Sequence, residues 1–446
     1  MLIQILIAGA GKSANHLIDY FLKESIQQNW FITVADGDAK TLTEKVGSHP
    51  NALGIVLDIS SSKDRQALVK QADIVVSLMP PHLHILLAED CLQFGKHLIT
   101  SSYISPELKE LNTAAKEAGL MFMCEMGLDP GIDHMSASML IHDINRVASD
   151  IVSFKSYCGG LIAPVSDNNP WHYKFTWNPI NIINAGKSGA TYLEHGNEIH
   201  VQYADIFKNA ASLSIDQLGE FVYYPNRDSL DYIDTYQVQG VDTFMRATIR
   251  NKEFCIGWHA LIKLGLTDSA IEYRSNGLSH ASLIKLITNY TDTNISIVEY
   301  VAQLLGISLN SDLMKMLHYL DLFSEVDFID IEKTTAADFL FKILLKKWDM
   351  NENDQDMVIM QHDIIYKHKQ KLHSISSTLV AYGENKHFSA MSKTVGMPMA
   401  ILTKLILTKQ ISSLPSGVLI PTMQQIYKPV LKELAKHQIV FTEKIN

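Results

Sequence analysis

Near its N-terminus the chain reads Gly9-Ala10-Gly11-Lys12-Ser13-Ala14, a G-x-G-x-x-A string placed directly after the apolar run Leu2–Ala8. A glycine turn that leaves a strand and opens a helix can cradle a pyrophosphate. Gly9 permits the tight turn, Gly11 lets the backbone approach the anion, and Ala14 allows the helix to pack close to the sheet. Asp36 ends the next apolar run, FITVAD, 25 residues after Gly11. A carboxylate there can accept from ribose hydroxyls and would repel a 2′-phosphate, and no arginine stands close by. This predicts a dinucleotide site with NAD favoured over NADP. The competing reading makes Asp36 a turn residue or a helix cap. Asp58, in VLDIS, can reach an adenine amino group or serve as a cap.

A second group of residues could act on a bound molecule. Asp129 lies in the tight string Gly127-Leu128-Asp129-Pro130-Gly131, past the sixth apolar run, and Tyr103 lies past the fifth. In an open parallel sheet that edge binds ligands. Cys158, in SYCGG, has two glycines beside it that would let a ligand approach closely. Of only six arginines, Arg227, Arg246 and Arg250 cluster in a short stretch. Arginine clamps carboxylates in a bidentate way that lysine cannot. Plainer readings stand beside these: Asp129 as a turn former, Tyr103 as a packing aromatic, Cys158 as a small buried hydrophobe, the arginines as surface ion pairs. His134, at a helix start, reads as a structural capping residue before a base. His82 and His84 lack a carboxylate partner at metal-binding spacing, and no metal site is expected.

The elements that must hold these residues are legible as alternating runs. Leu2–Ala8, Phe31–Ala35, Gly54–Leu57, Ile74–Leu78, His97–Thr100 and Leu120–Cys124 are too short for helices. Amphipathic segments Ala14–Ser25, Ala39–Val46, Lys63–Gln71, His82–Phe94 and Ser105–Glu117 lie between them. Ser105-Pro106 places an N-cap ahead of a proline at the first helical position. Strand and helix repeated this way make a doubly wound parallel sheet, an α/β Rossmann domain. After residue 150 the pattern changes. Ile151–Cys158, Glu198–Tyr203, Tyr236–Val241 and Met245–Ile249 read as strands of a mixed α+β domain. Ser282–Asn289, Ile295–Leu305, Ser311–Leu322 and Thr335–Lys347 read as helices, and Met399–Leu407 and Gln424–Lys436 return to helix near the end.

Composition narrows the classes. Apolar residues make up 47% and charged residues 19%, which is globular and not disordered. The net charge of −10 argues against nucleic acid as a partner. Four scattered cysteines without a C-x-x-C pair fit a reducing compartment. The apolar start has no basic leader and stops at a turn, so no signal peptide is expected, nor a membrane partner. A cytoplasmic protein, expected to be a homodimer, is the resulting expectation.

The strings TSSYISPELKEL, EMGLDPGIDHMSA, SYCGGLIAP, NPWHYKFTWNP, YPNRDS, MRATIR and TVGMP together resemble the glutamate-forming saccharopine dehydrogenases, also called saccharopine reductases. The resemblance runs from the N-terminus to about residue 255 and resumes near Ser392. It implies a Rossmann domain over 1–128 rejoined by 390–446, a substrate-binding α+β domain over 129–260, and a mostly helical region over 261–389. It implies oxidation of the amino acid saccharopine, with NAD(P) and water, to glutamate and aminoadipate semialdehyde. Residues carried over are Ala10, Gly11, Lys12, Ser13, Asp58, Ile59, Ser101, Ser102, Leu128 and Asp129 around the cofactor. Ser102, Tyr103, Asp129, Arg227, Thr248, Ile249 and Arg250 would hold the substrate. Asp129, Tyr103 and Cys158 are the expected catalytic groups. The chain departs from the fungal members at Asp36-Gly37, where they carry a basic residue, and NAD remains the expected cofactor. A carboxyspermidine- or homospermidine-type enzyme would keep this plan and change the amine. The Arg227 and Arg250 pair favours a carboxylate substrate over a polyamine. A silent dinucleotide-binding regulator would keep Gly9, Gly11 and Asp36 without the TSSY and LDPG strings, both of which are intact.

Overall fold

The structure, a computed structural model, describes residues 2–147, 150–292, 294–411 and 413–445. Strands and helices alternate over the first part: β1 (Ile3–Ala8), α1 (Asn15–Gln28), β2 (Trp30–Asp36), α2 (Ala39–Val46), β3 (Ala52–Val56), α3 (Ser62–Gln71), β4 (Ile74–Ser77), α4 (His84–Phe94) and β5 (His97–Thr100). The segment expected as one helix is two, α5 (Pro106–Glu110) and α6 (Asn112–Glu117), followed by β6 (Met121–Met123), α7 (Ile132–Asn145) and β7 (Asp150–Ile162). Local chemistry accounts for the helix starts. Asp38 accepts from the backbone N–H of Lys40 and Thr41 ahead of α2, and Ser105 accepts from Leu108 ahead of α5. β4 is buried on both faces, which is why it reads as an unbroken apolar run and not as an alternation.

The middle of the chain holds α8 (Ile180–Ile183), β8 (Ala190–Glu194), β9 (Asn197–Val201), β10 (Ala211–Ile215), β11 (Gly219–Pro225), β12 (Arg227–Asp228), α9 (Asp231–Thr235), β13 (Thr243–Arg250), α10 (Lys252–Lys263), β14 (Glu272–Arg274), α11 (His280–Ile287), α12 (Ile297–Leu305), α13 (Asp312–Tyr319), β15 (Lys333–Thr335) and α14 (Ala336–Lys347). The last part holds β16 (Asp356–His368), β17 (Lys371–Tyr382), α15 (Ala390–Leu407), β18 (Gly417–Leu419), α16 (Gln424–Lys436) and β19 (Phe441–Ile445). Two compact units result. The first is Met1–Ser156, Tyr232–Val241 and Gln355–Asn446; the second is Tyr157–Asp231 and Asp242–Asp354. This grouping differs from the expected segments 1–128 with 390–446, 129–260 and 261–389.

In the first unit a seven-stranded parallel sheet runs in the order β18-β6-β5-β4-β1-β2-β3. The doubly wound domain therefore takes its edge strand from the far C-terminus, with Gly417 opposite Met121. α15 lies along α1, and α16 lies along α7. β16 and β17 form a long antiparallel hairpin that β19 extends. This stretch falls in the region 261–389, which the sequence leads one to expect as mostly helical. The first half of β16, DMVIMQH, is buried on both faces, so it lacks the alternation that marks a strand. Tyr236–Val241, expected as a strand, forms turns after α9 instead; Tyr236 and Val238 are buried by side-chain packing and not by sheet pairing.

In the second unit β10, β11 and β13 pair antiparallel, while β8 pairs antiparallel with β13 and β9 and parallel with β12. Its core is aromatic. Trp171 and Trp348 have ring centroids 5.2 Å apart, and Phe254 stacks on Trp258 at 5.6 Å. In NPWHYKFTWNP the alternate residues Trp171, Tyr173 and Phe175 all turn into this core.

Candidate active site

The glycine loop leaves β1 as the sequence predicts. Gly9 has φ +97°, and a Cβ there would sit 3.0 Å from the backbone of Leu78, past the end of β4. Nothing lies within 4 Å of where a Cβ on Gly11 would stand, so that side of the loop is open. Asp36 faces this loop in a way the sequence did not reveal. One carboxylate oxygen accepts from the N–H of Ala10 at 2.6 Å, and the other accepts from the N–H of Asp38 at 2.9 Å. The Lys45 ammonium donates to the carbonyls of Ala10 and Gly11 at 2.5 and 2.7 Å. Burial brings its pKa down to about 8, against the opposing pull of Asp36. Lys12 and Lys40 are exposed nearby in the sequence.

Asp58 is exposed and accepts from the N–H and hydroxyl of Ser60, which holds its carboxyl below the usual range. Here it forms the turn before α3. Ile59 is nearly buried, and its carbonyl accepts from Arg65.

At the ends of β5 and β6 the expected residues converge. The Tyr103 hydroxyl donates to Asp129 at 3.1 Å. Ser101 packs against Gly127, the first residue of the loop that carries Leu128 and Asp129. Ser102 is the end of a hydrogen-bonded chain: Ser77 Oγ to His84 Nδ1 at 2.8 Å, and His84 Nε2 to Ser102 Oγ at 2.9 Å. Burial holds the His84 imidazole down to about 4, so it is neutral, with one nitrogen donating and the other accepting. His84 was not found from the sequence as a support for Ser102; the available signal was its position at the start of the helix that follows β4. Glu125 was also not singled out, although it opens the string EMGLDPGIDHMSA that carries the resemblance. His134, read as a structural cap, is buried and donates through Nε2 to Glu125 at 2.7 Å.

In the second unit the arginines separate. Arg250 is 7% exposed. Its Nη1 donates to the carbonyls of Ile249 and Gly160, and its Nε has no hydrogen-bond partner. The guanidinium lies 5.7 Å from the Tyr173 ring centroid and 5.6 Å from that of Phe254. Tyr224, Tyr173, Cys255 and Cys158 lie within electrostatic reach of it. No ion pair to a carboxylate is formed by Arg250 among the described residues. Arg227, by contrast, is exposed in β12. Arg246 is buried in β13, its backbone N–H donating to Ser229 and its carbonyl accepting from Asn226. Thr248 is half-buried and Ile249 buried. Cys158 is buried in β7. Its neighbour Gly159 does not leave room for a ligand: a Cβ there would meet the Ile249 carbonyl at 2.6 Å, so the glycine permits close strand packing.

A family model described as "Saccharopine dehydrogenase C-terminal domain" matches residues 127–440, about 70% of the chain, and "Saccharopine dehydrogenase NADP binding domain" matches residues 5–123. The chain belongs to the saccharopine dehydrogenase family. It is 32% identical to "Saccharopine dehydrogenase [NADP(+), L-glutamate-forming]" of Saccharomyces cerevisiae, covering 99% of this chain and 98% of that protein. The Schizosaccharomyces pombe protein of the same name is 30% identical, with the same coverage. It is 32% identical to "Alpha-aminoadipic semialdehyde synthase" of Arabidopsis thaliana over 99% of this chain but 44% of that protein, so it spans about half of that relative. The solved apo saccharopine dehydrogenase (L-Glu forming) of Saccharomyces cerevisiae superposes with a TM-score of 0.88 at 30% identity, covering both chains in full.

These findings overturn NAD as the expected cofactor, because the matched domain and the fungal relatives are named for NADP. The physical reason lies at Asp36. Both of its oxygens accept from backbone N–H groups, so part of its acceptor capacity is spent on bracing the loop. The open side of Gly11 and the exposed cations Lys12 and Lys40, which flank the loop and the end of β2 in sequence, suit a phosphorylated dinucleotide.

Proposed function

We propose that this chain is an NADP(H)-linked oxidoreductase that interconverts saccharopine and water with glutamate and aminoadipate semialdehyde. The observation that carries the reading is Arg250, a buried guanidinium whose Nε has no partner. A buried cation without a counter-charge is costly, and a planar carboxylate offers it the bidentate partner that the protein withholds. Saccharopine has three carboxylates. A polyamine would add positive charge beside Arg250 and be disfavoured.

Tyr103 and Asp129 supply the proton chemistry. The secondary amine must lose its proton before the adjacent carbon gives up hydride, and the Asp129 carboxylate is the acceptor for it. Tyr103, donating to that carboxylate, tunes its basicity and can pass a proton on. The bound nicotinamide supplies the hydride chemistry. Water then adds to the imine, and the carbinolamine collapses with proton return from the same pair. Ser102, oriented by His84, supports the substrate or nicotinamide by hydrogen bonding. Cys158 is a buried thiol of the arginine's surroundings, within its electrostatic reach. The test follows absorbance at the nicotinamide band with saccharopine and NADP⁺, and separately NAD⁺. Turnover with NADP⁺ is expected; no turnover with either would sink the reading.

A further inference from the structure

Glu125 lies two residues past the end of β6, yet it is neither a strand residue nor a turn former. Its φ of +53° is left-handed, a conformation that a non-glycine residue keeps only where its surroundings impose it. Two hydrogen bonds tie it to the residues on either side of Tyr103. The Glu125 N–H donates to the Ser102 carbonyl at 3.1 Å, and the Ile104 N–H donates to Glu125 Oε1 at 3.1 Å. The other carboxylate oxygen accepts from His134 Nε2 at 2.7 Å and from the Tyr232 hydroxyl at 3.1 Å. A carboxylate only accepts, so Nε2 carries the proton. The remaining ring nitrogen of His134 meets the Tyr236 hydroxyl at 2.7 Å, and the imidazole stacks on Tyr232 with centroids 5.1 Å apart. Glu125 is 4% exposed and His134 fully buried.

We infer that Glu125 is the positioning residue for the Tyr103–Asp129 pair. Its left-handed backbone and its carboxylate grip the chain on both sides of Tyr103, and His134 with Tyr232 and Tyr236 fixes that carboxylate. Helix α7 begins in the same string that carries Asp129, so His134 ties the grip to the Asp129 loop as well. The inference rests on the proposed role of Tyr103 and Asp129 as the proton-handling pair. It adds that their 3.1 Å geometry is set from behind by a group that touches no substrate. Catalytic groups displaced by a fraction of an ångström lose much of their effect.

The test is a double-mutant cycle on kcat. In Glu125→Gln one acceptor oxygen becomes an NH₂, so either Ile104 or the His134–Tyr232 side loses its acceptor while size is kept. Expected are a fall in kcat of about 10- to 100-fold, and NADPH affinity within about twofold of the parent. Tyr103→Phe should cost clearly less in the Glu125→Gln background than alone, because the hydroxyl is already misplaced. A purely structural Glu125 would give additive losses, and additivity or an unchanged kcat overturns the inference. If Glu125→Gln does not fold, Tyr232→Phe, which removes one hydroxyl, carries the same cycle: a smaller loss with the same non-additivity supports the inference, and additivity overturns it. Should Tyr103→Phe and Asp129→Asn both leave saccharopine turnover unchanged, the underlying reading has failed. Should they impair it while the Glu125 and Tyr232 variants behave as the parent does, only this inference has.

Discussion

The N–H of Ala10, inside the glycine loop, donates to the carboxylate of Asp36 across 2.6 Å. The end of β2 thereby braces the turn that follows β1. Replacing Asp36 with serine removes a charge-assisted hydrogen bond to the loop. The expected outcome is weaker binding of NADP⁺ by about tenfold or more, with a lowered melting temperature. Fluorescence titration with NADP⁺ and NAD⁺ checks this. A variant of unchanged stability that binds NADP⁺ better than the parent would show the carboxylate acting against the 2′-phosphate instead.

Arg250 and Arg227 differ in burial, and their variants should differ accordingly. Arg250→Lys keeps the charge and loses the fork, so KM for saccharopine should rise about ten- to a hundredfold while NADP⁺ affinity holds. Arg227→Lys, at an exposed position, should have a smaller effect. Equal effects from the two would remove burial as the deciding factor.

Asp129→Asn should keep the fold and coenzyme binding and lower turnover by about 10²–10⁴. Tyr103→Phe should lower it less, since a hydroxyl contributes one hydrogen bond. The reverse order would make the phenol the main proton-transfer group. Cys158→Ser serves as the control for a buried thiol, and a loss as large as that of Asp129→Asn would give the thiol a direct part in turnover.

Asp356 should make stability depend on pH. It is the first residue of β16, buried, and its side chain accepts from the N–H groups of Ala390 and Met391 at the start of α15, yet burial lifts its pKa to about 6. The folded state thus holds this proton more tightly than the unfolded chain, whose aspartate titrates near 4. Its contribution is present below about pH 4 and is lost as pH rises through about 6. The stability of the parent relative to Asp356→Asn should therefore grow as pH falls from 7 to 4, by up to about 3 kcal/mol. Urea unfolding at a series of pH values measures it, and a difference that grows in the opposite direction refutes the assignment.

Much of the first unit was legible because its signals are local. β1, β2, β4 and β5 are short runs bounded by turn residues, α5 announces itself by Ser105 and Pro106, and the glycine loop is contiguous; the cap of α2 is Asp38, where the sequence offered Asp36. Tyr103 and Asp129 were legible as neighbours for a related reason: in a parallel sheet, residues just past adjacent strands share one edge. The β16–β17 hairpin was not legible, because a strand buried on both faces loses its period.

By itself, then, the sequence determined the alternation of strand and helix, the turn at Gly9, and the resemblance that its TSSY and LDPG strings carry. These depend on neighbours within a few residues, where spacing dictates which groups can meet. The tertiary structure alone decided that Asp36 turns to Ala10 and not outward, that Arg250 is buried while Arg227 is exposed, and that Glu125 meets Tyr232 across more than a hundred residues. A carboxylate or guanidinium has the same chemistry wherever it stands. What it does depends on which donors, acceptors and water the folded chain brings to it, and that is settled only when distant segments pack.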